Sequence, residues 1–151
     1  MPFEAYLPCK FPHGHENEMF AVLVDKLMTK FGGEAGLHIL IGNIMFEGND
    51  LDAILIKPDG ICIIEMKSHG GKVHFTESTP WIVGTFEVKG GSKPNPFQQV
   101  RIYRLGVKNF FRIREKEILK RQRLVIWDHV SAVVLFGNAI QFDDYILGNL
   151  R

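Results

Sequence analysis

Three charged residues lie in the most strand-like part of this 151-residue sequence, where charge is unfavourable. The stretch "LDAILIKPDGICIIEMK", residues 51–67, contains two apolar strands around a "KPDG" turn signal. An antiparallel hairpin closed by that turn places Asp52 opposite Glu65, with their Cβ atoms about 5 Å apart. Because side chains alternate along a strand, Lys67 shares the face of Glu65. The register therefore predicts one patch of two carboxylates and an ammonium group.

Such a patch is suited to a hard divalent cation, since two carboxylates at that separation repel unless a cation lies between them. Mg²⁺ prefers carboxylate oxygens and keeps several waters. Lys67 would orient or deprotonate a metal-bound water or stabilise developing negative charge, which suits hydrolysis of a phosphodiester. The alternative is a Glu65–Lys67 salt bridge at a fraying strand end, and a one-residue slip would separate the partners. Asp50 is expected in a flanking loop.

A predicted helix over residues 15–31 offers a third carboxylate. Glu16 lies near the apolar stripe of this helix and would complete a metal site from the sheet-facing side. Glu18 is phased towards solvent and is the alternative helix acid. Either residue could instead interact with the helix dipole.

A second helix begins at Asn95-Pro96 and runs to about residue 112, because asparagine favours the N-cap and proline the first turn. Gln99 and Tyr103 are four residues apart and project from one face. An amide on an apolar face needs partners, so Gln99 is a candidate for contacting a phosphate or a metal-bound water. Tyr103 is more simply explained as a core aromatic residue.

The remaining elements complete an α/β pattern of helix, several strands, helix and strand. A central mixed sheet flanked by helices satisfies this order. Further strands are predicted over residues 37–41, 44–46, 72–76, 81–89 and 131–136, a further strand is an option over 140–147, and a helical segment is an option over 114–121.

Composition favours one ordinary domain over residues 1–151, with a net charge of +1. Two cysteines are too few for a disulfide framework or a zinc cluster, and a reducing, cytoplasmic setting fits. A signal peptide and an apolar stretch of about 18 residues are both lacking, so no membrane association is expected. The motif "HGHE" at 13–16 is a weaker zinc alternative, and His69 a weaker accessory to Lys67.

Basic residues concentrate between residues 101 and 123. This segment suits either a polyanion partner or a solvated amphipathic helix face. The candidate nucleic-acid contacts on its helical part are Arg101, Arg104, Lys108 and Arg112.

Taken together, these segments resemble the nuclease-related domain, NERD, a branch of the PD-(D/E)xK nuclease superfamily. The matching segments, in order, are "GHENEMFAVLVDKL", "LDAILIKPDG", "ICIIEMK", "NPFQQVRIYR" and "VSAVVLF". The resemblance covers a core of about residues 14–142. Leucine, not the proline of the superfamily name, precedes Asp52, and "ENE" leaves the helix acid ambiguous.

The resemblance implies a restriction-endonuclease-like core with a four-stranded mixed sheet. It implies Mg²⁺ or Mn²⁺ as cofactor and DNA as substrate, with RNA left open. Carried over to this sequence, Asp52 and Glu65 would be metal ligands, Glu16 the helix acid, Lys67 the superfamily lysine, and Gln99 the glutamine after the asparagine-proline pair.

We therefore expect a metal-dependent nuclease that acts in DNA processing. The alternative is a non-catalytic nucleic-acid-binding module of the same fold. A homodimer stays open, and so does a longer chain that carries a helicase or another domain beside this one.

Overall fold

The protein is described from a computed structural model, in which residues 3–114, 117 and 129–142 are described. The elements, in chain order, are β1 (Phe3–Tyr6), α1 (Gly14–Phe31), β2 (His38–Phe46), β3 (Asn49–Lys57), β4 (Gly60–Lys67), β5 (Gly71–His74), β6 (Trp81–Val83), β7 (Phe86–Val88), α2 (Pro96–Ile113), β8 (Val130–Phe136) and β9 (Ile140–Phe142).

The central sheet is mixed and has five strands in the order β1-β2-β3-β4-β8. Strands β2, β3 and β4 are antiparallel neighbours, whereas β1 pairs parallel to β2 and β8 pairs parallel to β4. The predicted α/β architecture is confirmed, with α1 packed on one face and α2 on the other. Strand β1 was not predicted, since "FEAY" is too short to carry a periodic signal.

The predicted hairpin register is confirmed over most of its length. Residues 53–57 pair with residues 60–64 in the expected alignment, and the last pair is Ala53 with Ile64. The ladder therefore ends one residue before Asp52 and Glu65. From Glu65 onward, β4 continues in its parallel pairing with β8. Asp50 lies in β3, paired with Met45, so its predicted place in a loop is wrong.

Strand β2 changes the face on which it buries its side chains at Asn43. Leu40 packs in the core beneath α1, whereas Ile44 packs in the core beneath α2, although strict alternation would keep both on one face. Asn43 has φ 49°, a left-handed conformation that asparagine tolerates better than most residues. Its amide nitrogen donates to the carbonyls of Cys9 and Lys10, each at 3.0 Å. These bonds hold the change of face in place.

Strand β3 makes the same change at Asp52. Ala53 belongs to the core beneath α1, and Leu51 to the core beneath α2. The flanking residues of β2 and β3 stay paired on both sides of Asn43 and Asp52. The switch places Asp52 at an interruption of the ladder, where its side chain is free to turn towards the end of β4.

Close backbone approach positions α1. A Cβ atom at Gly42 would lie 2.5 Å from the ring of Phe20, so the helix rests on the bare backbone of β2. At its start, the side chain of Asn17 accepts from Phe11 N–H at 3.1 Å and donates to Phe11 C=O at 3.0 Å. These contacts fix the first turn of α1, which carries Glu16, against the sheet.

Helix α2 begins as predicted. The side chain of Asn95 accepts from the Gln98 N–H at 3.0 Å, and Pro96 follows in the first turn. The Asn95 amide nitrogen also donates to the carbonyls of Thr76, Glu77 and Thr79. The buried cap therefore joins α2 to the loop between β5 and β6.

A second sheet, with strand order β7-β6-β5-β9, was not expected. The predicted strand over residues 81–89 is wrong as a single element, because Gly84 at φ 63° opens a turn that divides it into β6 and β7. Of the options at the end of the chain, β9 covers the start of 140–147. The remainder of that range, and most of 114–121, lie outside the described residues. No helix among the described residues is long and apolar enough to cross a membrane.

Candidate active site

Asp52 is held by a backbone hydrogen bond at the end of the hairpin. Its Oδ2 accepts from the Met66 N–H at 2.7 Å. This bond joins Asp52 on β3 to β4, the strand that carries Glu65 and Lys67, beyond the last ladder pair. Asp52 approaches β4 as predicted. The contact is a hydrogen bond from its side chain to the β4 backbone, whereas the sequence predicted that Asp52 and Glu65 face each other directly.

The surroundings of Asp52 disfavour its charged form. Its pKa is raised to about 7, chiefly because burial removes the carboxylate from water and secondly because Glu65 lies nearby. The Met66 hydrogen bond and the positive charge of Lys67 oppose this shift, and Glu16 adds the smallest contribution, upward. An added cation would lower this pKa again.

Glu65 and Lys67 form a close ion pair. Lys67 Nζ donates to Glu65 Oε1 at 2.8 Å, and Glu65 is only 4% exposed. Two residues apart on β4, they share a face as the sequence predicted. The ammonium group therefore neutralises one carboxylate beside a second, Asp52.

The first turn of α1 brings Glu16, and not Glu18, towards the sheet. Glu16 Oε2 is buried and has no hydrogen-bond partner in the described part of the chain. Glu18 is exposed and lines a cavity of about 400 Å³ between α1 and the end of β8. A buried carboxylate oxygen without a donor is the state in which a cation is most readily accepted.

Helix α2 places its predicted polar pair in the same region. Gln99 is 7% exposed, its Nε2 donates to the Tyr103 hydroxyl at 2.9 Å, and its Oε1 is buried with no partner among residues 3–114, 117 and 129–142. Burial raises the pKa of Tyr103, and the charges of Glu65 and Asp52 raise it further. Tyr103 also packs against the core beneath α2, as predicted for a core aromatic residue.

The four predicted nucleic-acid contacts lie on a different side of α2. Successive helical residues turn by about 100°, which places Arg101, Arg104, Lys108 and Arg112 in one stripe roughly opposite Gln99 and Tyr103. Arg104 Nε donates to the Val130 carbonyl at 2.6 Å, at the start of β8. Arg101 and Arg104 line a cavity of about 470 Å³ there. The basic stripe and the carboxylates are therefore two separate surfaces.

The carboxylate oxygens of the site suit a hard cation, but they do not form a complete ligand set around one. Within the described ranges, no group of three His, Cys, Asp or Glu side chains is arranged to hold a metal ion. Mg²⁺ needs only one or two carboxylates, because it keeps waters. Asp52 with its raised pKa and the unpartnered Oε2 of Glu16 meet that need. His13 and His15 stack with ring centroids 5.6 Å apart, and they belong to no such group with Glu16.

A mixed sheet with a helix on each face, and acids and a lysine where two strands end their pairing, defines a restriction-endonuclease-like core. The family model of the nuclease-related domain, NERD, matches residues 14–137. The chain belongs to this family, as the motifs in the sequence suggested. No curated protein and no solved structure matches this chain significantly.

Two parts of the site had no usable signal in the sequence. Met66 contributes through its backbone N–H, which every residue but proline carries. Asn43 acts through its left-handed backbone opposite Asp52, and asparagine is only one of the residue types that tolerate this conformation. The roles of Met66 and Asn43 are therefore visible only in the folded structure.

Proposed function

We propose that this domain is a metal-dependent nuclease that hydrolyses phosphodiester bonds of DNA in DNA processing. The observation that carries the proposal is the buried carboxylate cluster. Asp52 has a pKa raised to about 7 by burial and by Glu65, next to a lysine and an unpartnered carboxylate oxygen. Active sites are where pKa shifts of this size concentrate.

Asp52 and Glu16 are the residues that would hold Mg²⁺ or Mn²⁺ first. Glu65, the third predicted ligand, would join them only by turning away from Lys67, with which it is paired. When bound, such an ion supplies a more acidic water and polarises a phosphoryl oxygen. Lys67 would then hold its proton close to the attacked phosphate and stabilise the charge that develops there. Its ion pair with Glu65 keeps the ammonium group in position.

Gln99 and Tyr103 would orient the substrate. Gln99 donates to the Tyr103 hydroxyl, which leaves the hydroxyl proton free for a phosphate oxygen, and Gln99 Oε1 has no described protein donor. A water or a substrate group would supply that missing hydrogen bond. Tyr103 is a positioning residue in this scheme.

The basic stripe would contribute a second, sequence-independent contact with the DNA backbone. Because Arg101, Lys108 and Arg112 project from the other side of α2, they would meet phosphates that lie past the helix. Each neutralised phosphate steepens the salt dependence of binding. Replacing Lys108 by methionine should therefore flatten that dependence and leave the cleavage step itself unchanged.

Cleavage assays with matched variants test the proposal. Plasmid and single-stranded DNA are incubated with Mg²⁺ or Mn²⁺ and with EDTA. Asp52→Asn should lose at least about 100-fold in rate, as for loss of an essential electrostatic group. Asp50→Asn, an exposed neighbour on the same strand, should retain most activity.

The same assay distinguishes the two helix acids. Glu16→Gln should reduce the rate, whereas Glu18→Gln should not, because the Glu18 side chain is exposed to solvent. Equal rates for Asp52→Asn and the parent protein would contradict the site assignment.

The second candidate is a DNA-binding module that does not cut. The arrangement that favours it is the lack of a three-ligand metal group among the described side chains. Calorimetry separates the two candidates, since the nuclease requires binding of Mg²⁺ or Mn²⁺ that Asp52→Asn abolishes. Retained DNA binding with no metal binding by the parent protein would favour the module.

A further inference from the structure

One exposed aromatic side chain, Phe86, contacts a residue that closely follows the carboxylate-bearing strand β4. Phe86 is the first residue of β7 and is 63% exposed. Its partner across the hairpin is Val83, which is fully buried. Opposed residues share a sheet face, so Phe86 lies on the covered face of the second sheet but beyond the edge of its core.

The β6–β7 hairpin, which carries Phe86, is held against the start of β5, the strand that follows β4 in the chain. The Gly84 N–H donates to the Lys72 carbonyl at 2.7 Å. A Cβ atom at Gly71 would lie 3.3 Å from Gly84 Cα, so the two backbones are in close contact. The position of Phe86 is therefore set by backbone contacts, and its side chain is not needed to hold the hairpin.

His69 connects Phe86 to the end of β4. The rings of His69 and Phe86 have centroids 5.7 Å apart, inclined at 59°. His69 follows Lys67 by two residues, so their Cα atoms are at most about 7 Å apart. Its Nδ1 is buried and has no hydrogen-bond partner in the part of the chain that the structure describes. An exposed aromatic face thus packs against a residue that follows Lys67 closely along the chain.

We propose that Phe86 and His69 form a stacking platform for one unpaired nucleobase of single-stranded DNA, adjacent to the phosphate at the carboxylate site. Phe86 supplies the exposed π face, and the ring of His69, inclined at 59° to it, supports it from beside. Aromatic platforms bind single strands because every base has a π face, whereas bases in a duplex are already stacked. The platform would thereby select single-stranded over duplex substrate. It rests on the proposed nuclease function for the identity of the ligand as DNA and of the neighbouring phosphate.

Binding is measured in EDTA with a single-stranded oligonucleotide that carries 2-aminopurine, whose fluorescence falls when it stacks. The parent protein should quench the fluorescence and bind. Phe86→Leu should lose the quenching and weaken binding about tenfold. Phe86→Trp should restore both, which a merely structural role of the phenylalanine would not predict.

Phe142→Leu is the matched control. Phe142 is also an exposed phenylalanine of the second sheet, but it lies on β9 at the opposite edge. The Phe142→Leu variant should quench the 2-aminopurine fluorescence and bind the oligonucleotide like the parent protein. The same oligonucleotide annealed to its complement should bind with little dependence on Phe86.

The outcomes separate this inference from the nuclease proposal. Equal binding and quenching by Phe86→Leu and the parent protein, or no binding of the single strand by the parent, would overturn the platform. Binding with Phe86-dependent quenching but without cleavage in Mg²⁺ or Mn²⁺ would support the platform and refute the nuclease. Cleavage and binding that are both unaffected by Phe86→Leu would support the nuclease and refute the platform.

Discussion

The two ends of the β3–β4 hairpin contain similar residues in very different environments. At the turn end, Lys57 and Asp59 form an ion pair at 3.2 Å with the aspartate largely in solvent. At the open end, Lys67 and Glu65 form an ion pair at 2.8 Å that is nearly buried, beside Asp52. Both ends have a lysine and an acid two residues apart, so burial and the added carboxylate of Asp52 distinguish the cluster at the open end from the surface pair at the turn.

The pKa shifts at the two ends have opposite directions. Lys57 lowers the pKa of Asp59, whereas burial and Glu65 raise that of Asp52. An exposed acid beside a cation is stabilised in its charged form, while a buried acid beside another acid is not. The open end is thus held in an unfavourable state by the rest of the fold, as expected of a binding site for a cation.

The largest effect should come from the apolar middle of the hairpin, which supports both ends. Ile63 is fully buried, and Ile63→Ala should lower the free energy of unfolding by about 4 kcal/mol through lost packing and a cavity. Urea denaturation measures the change. Ile82→Ala, at a position 40% exposed in the second sheet, should lose far less. Similar losses would show that the hairpin is not the centre of the stable core.

Removing the lysine at each end should distinguish the two ion pairs. Lys67→Met leaves Glu65 buried without its cation and should cost about 3 kcal/mol of stability near pH 8. Lys57→Met removes an exposed pair and should change stability by less than about 1 kcal/mol. Equal losses in urea denaturation would mean that burial does not separate the ends.

Neutralising Asp52 should stabilise the metal-free protein. The pKa of Asp52 is raised by folding from 3.8 to about 7, so its contribution to stability is complete below pH 4 and is lost as the pH rises to 7. Asp52→Asn should therefore gain about 2 kcal/mol over the parent protein at pH 8 and little at pH 4. Thermal melting across this range measures it.

Asp59→Asn is the control for that pH dependence. The pKa of Asp59 is lowered by folding, so its contribution is present at neutral pH and is lost as the pH falls. The asparagine variant should not gain stability with rising pH. A gain at both positions would point to the net charge of the protein and not to the local environment.

The smallest effect should come from the metal. Mg²⁺ or Mn²⁺ at ten times its dissociation constant should stabilise the parent protein by about 1.4 kcal/mol. The shift in melting temperature should vanish in Asp52→Asn and persist in Asp59→Asn. A shift that survives Asp52→Asn would place the ion elsewhere.

Much of the fold could be predicted because its signals are local. The N-cap and proline at Asn95-Pro96 start α2 as expected, and the "KPDG" turn sets the hairpin register over residues 53–57 and 60–64. The family motifs also lie in order along the chain, and the match over residues 14–137 agrees with them. The second sheet could not be predicted, because Gly84 divides one continuous apolar run into two very short strands.

The candidate site was predictable in its residue types and less so in its arrangement. Alternation along one strand correctly placed Glu65 with Lys67, and helical phasing correctly brought Gln99 together with Tyr103. The position of Arg101 and its neighbours on the other side of α2 from Gln99 was not predicted, although it follows from the same helical phasing. The metal-ligand and DNA-contact roles stay predictions until the proposed variants are assayed.

By itself, the amino-acid sequence determined the hairpin, the two helices and the set of acids and lysine, because turns, caps and side-chain periodicity act over a few residues. Only the tertiary structure decided how those charges meet. The left-handed Asn43 and the end of the ladder at Ala53 turn Asp52 towards the Met66 N–H. The burial that raises the pKa of Asp52 comes from elements distant in the chain, and local sequence pattern does not encode that burial.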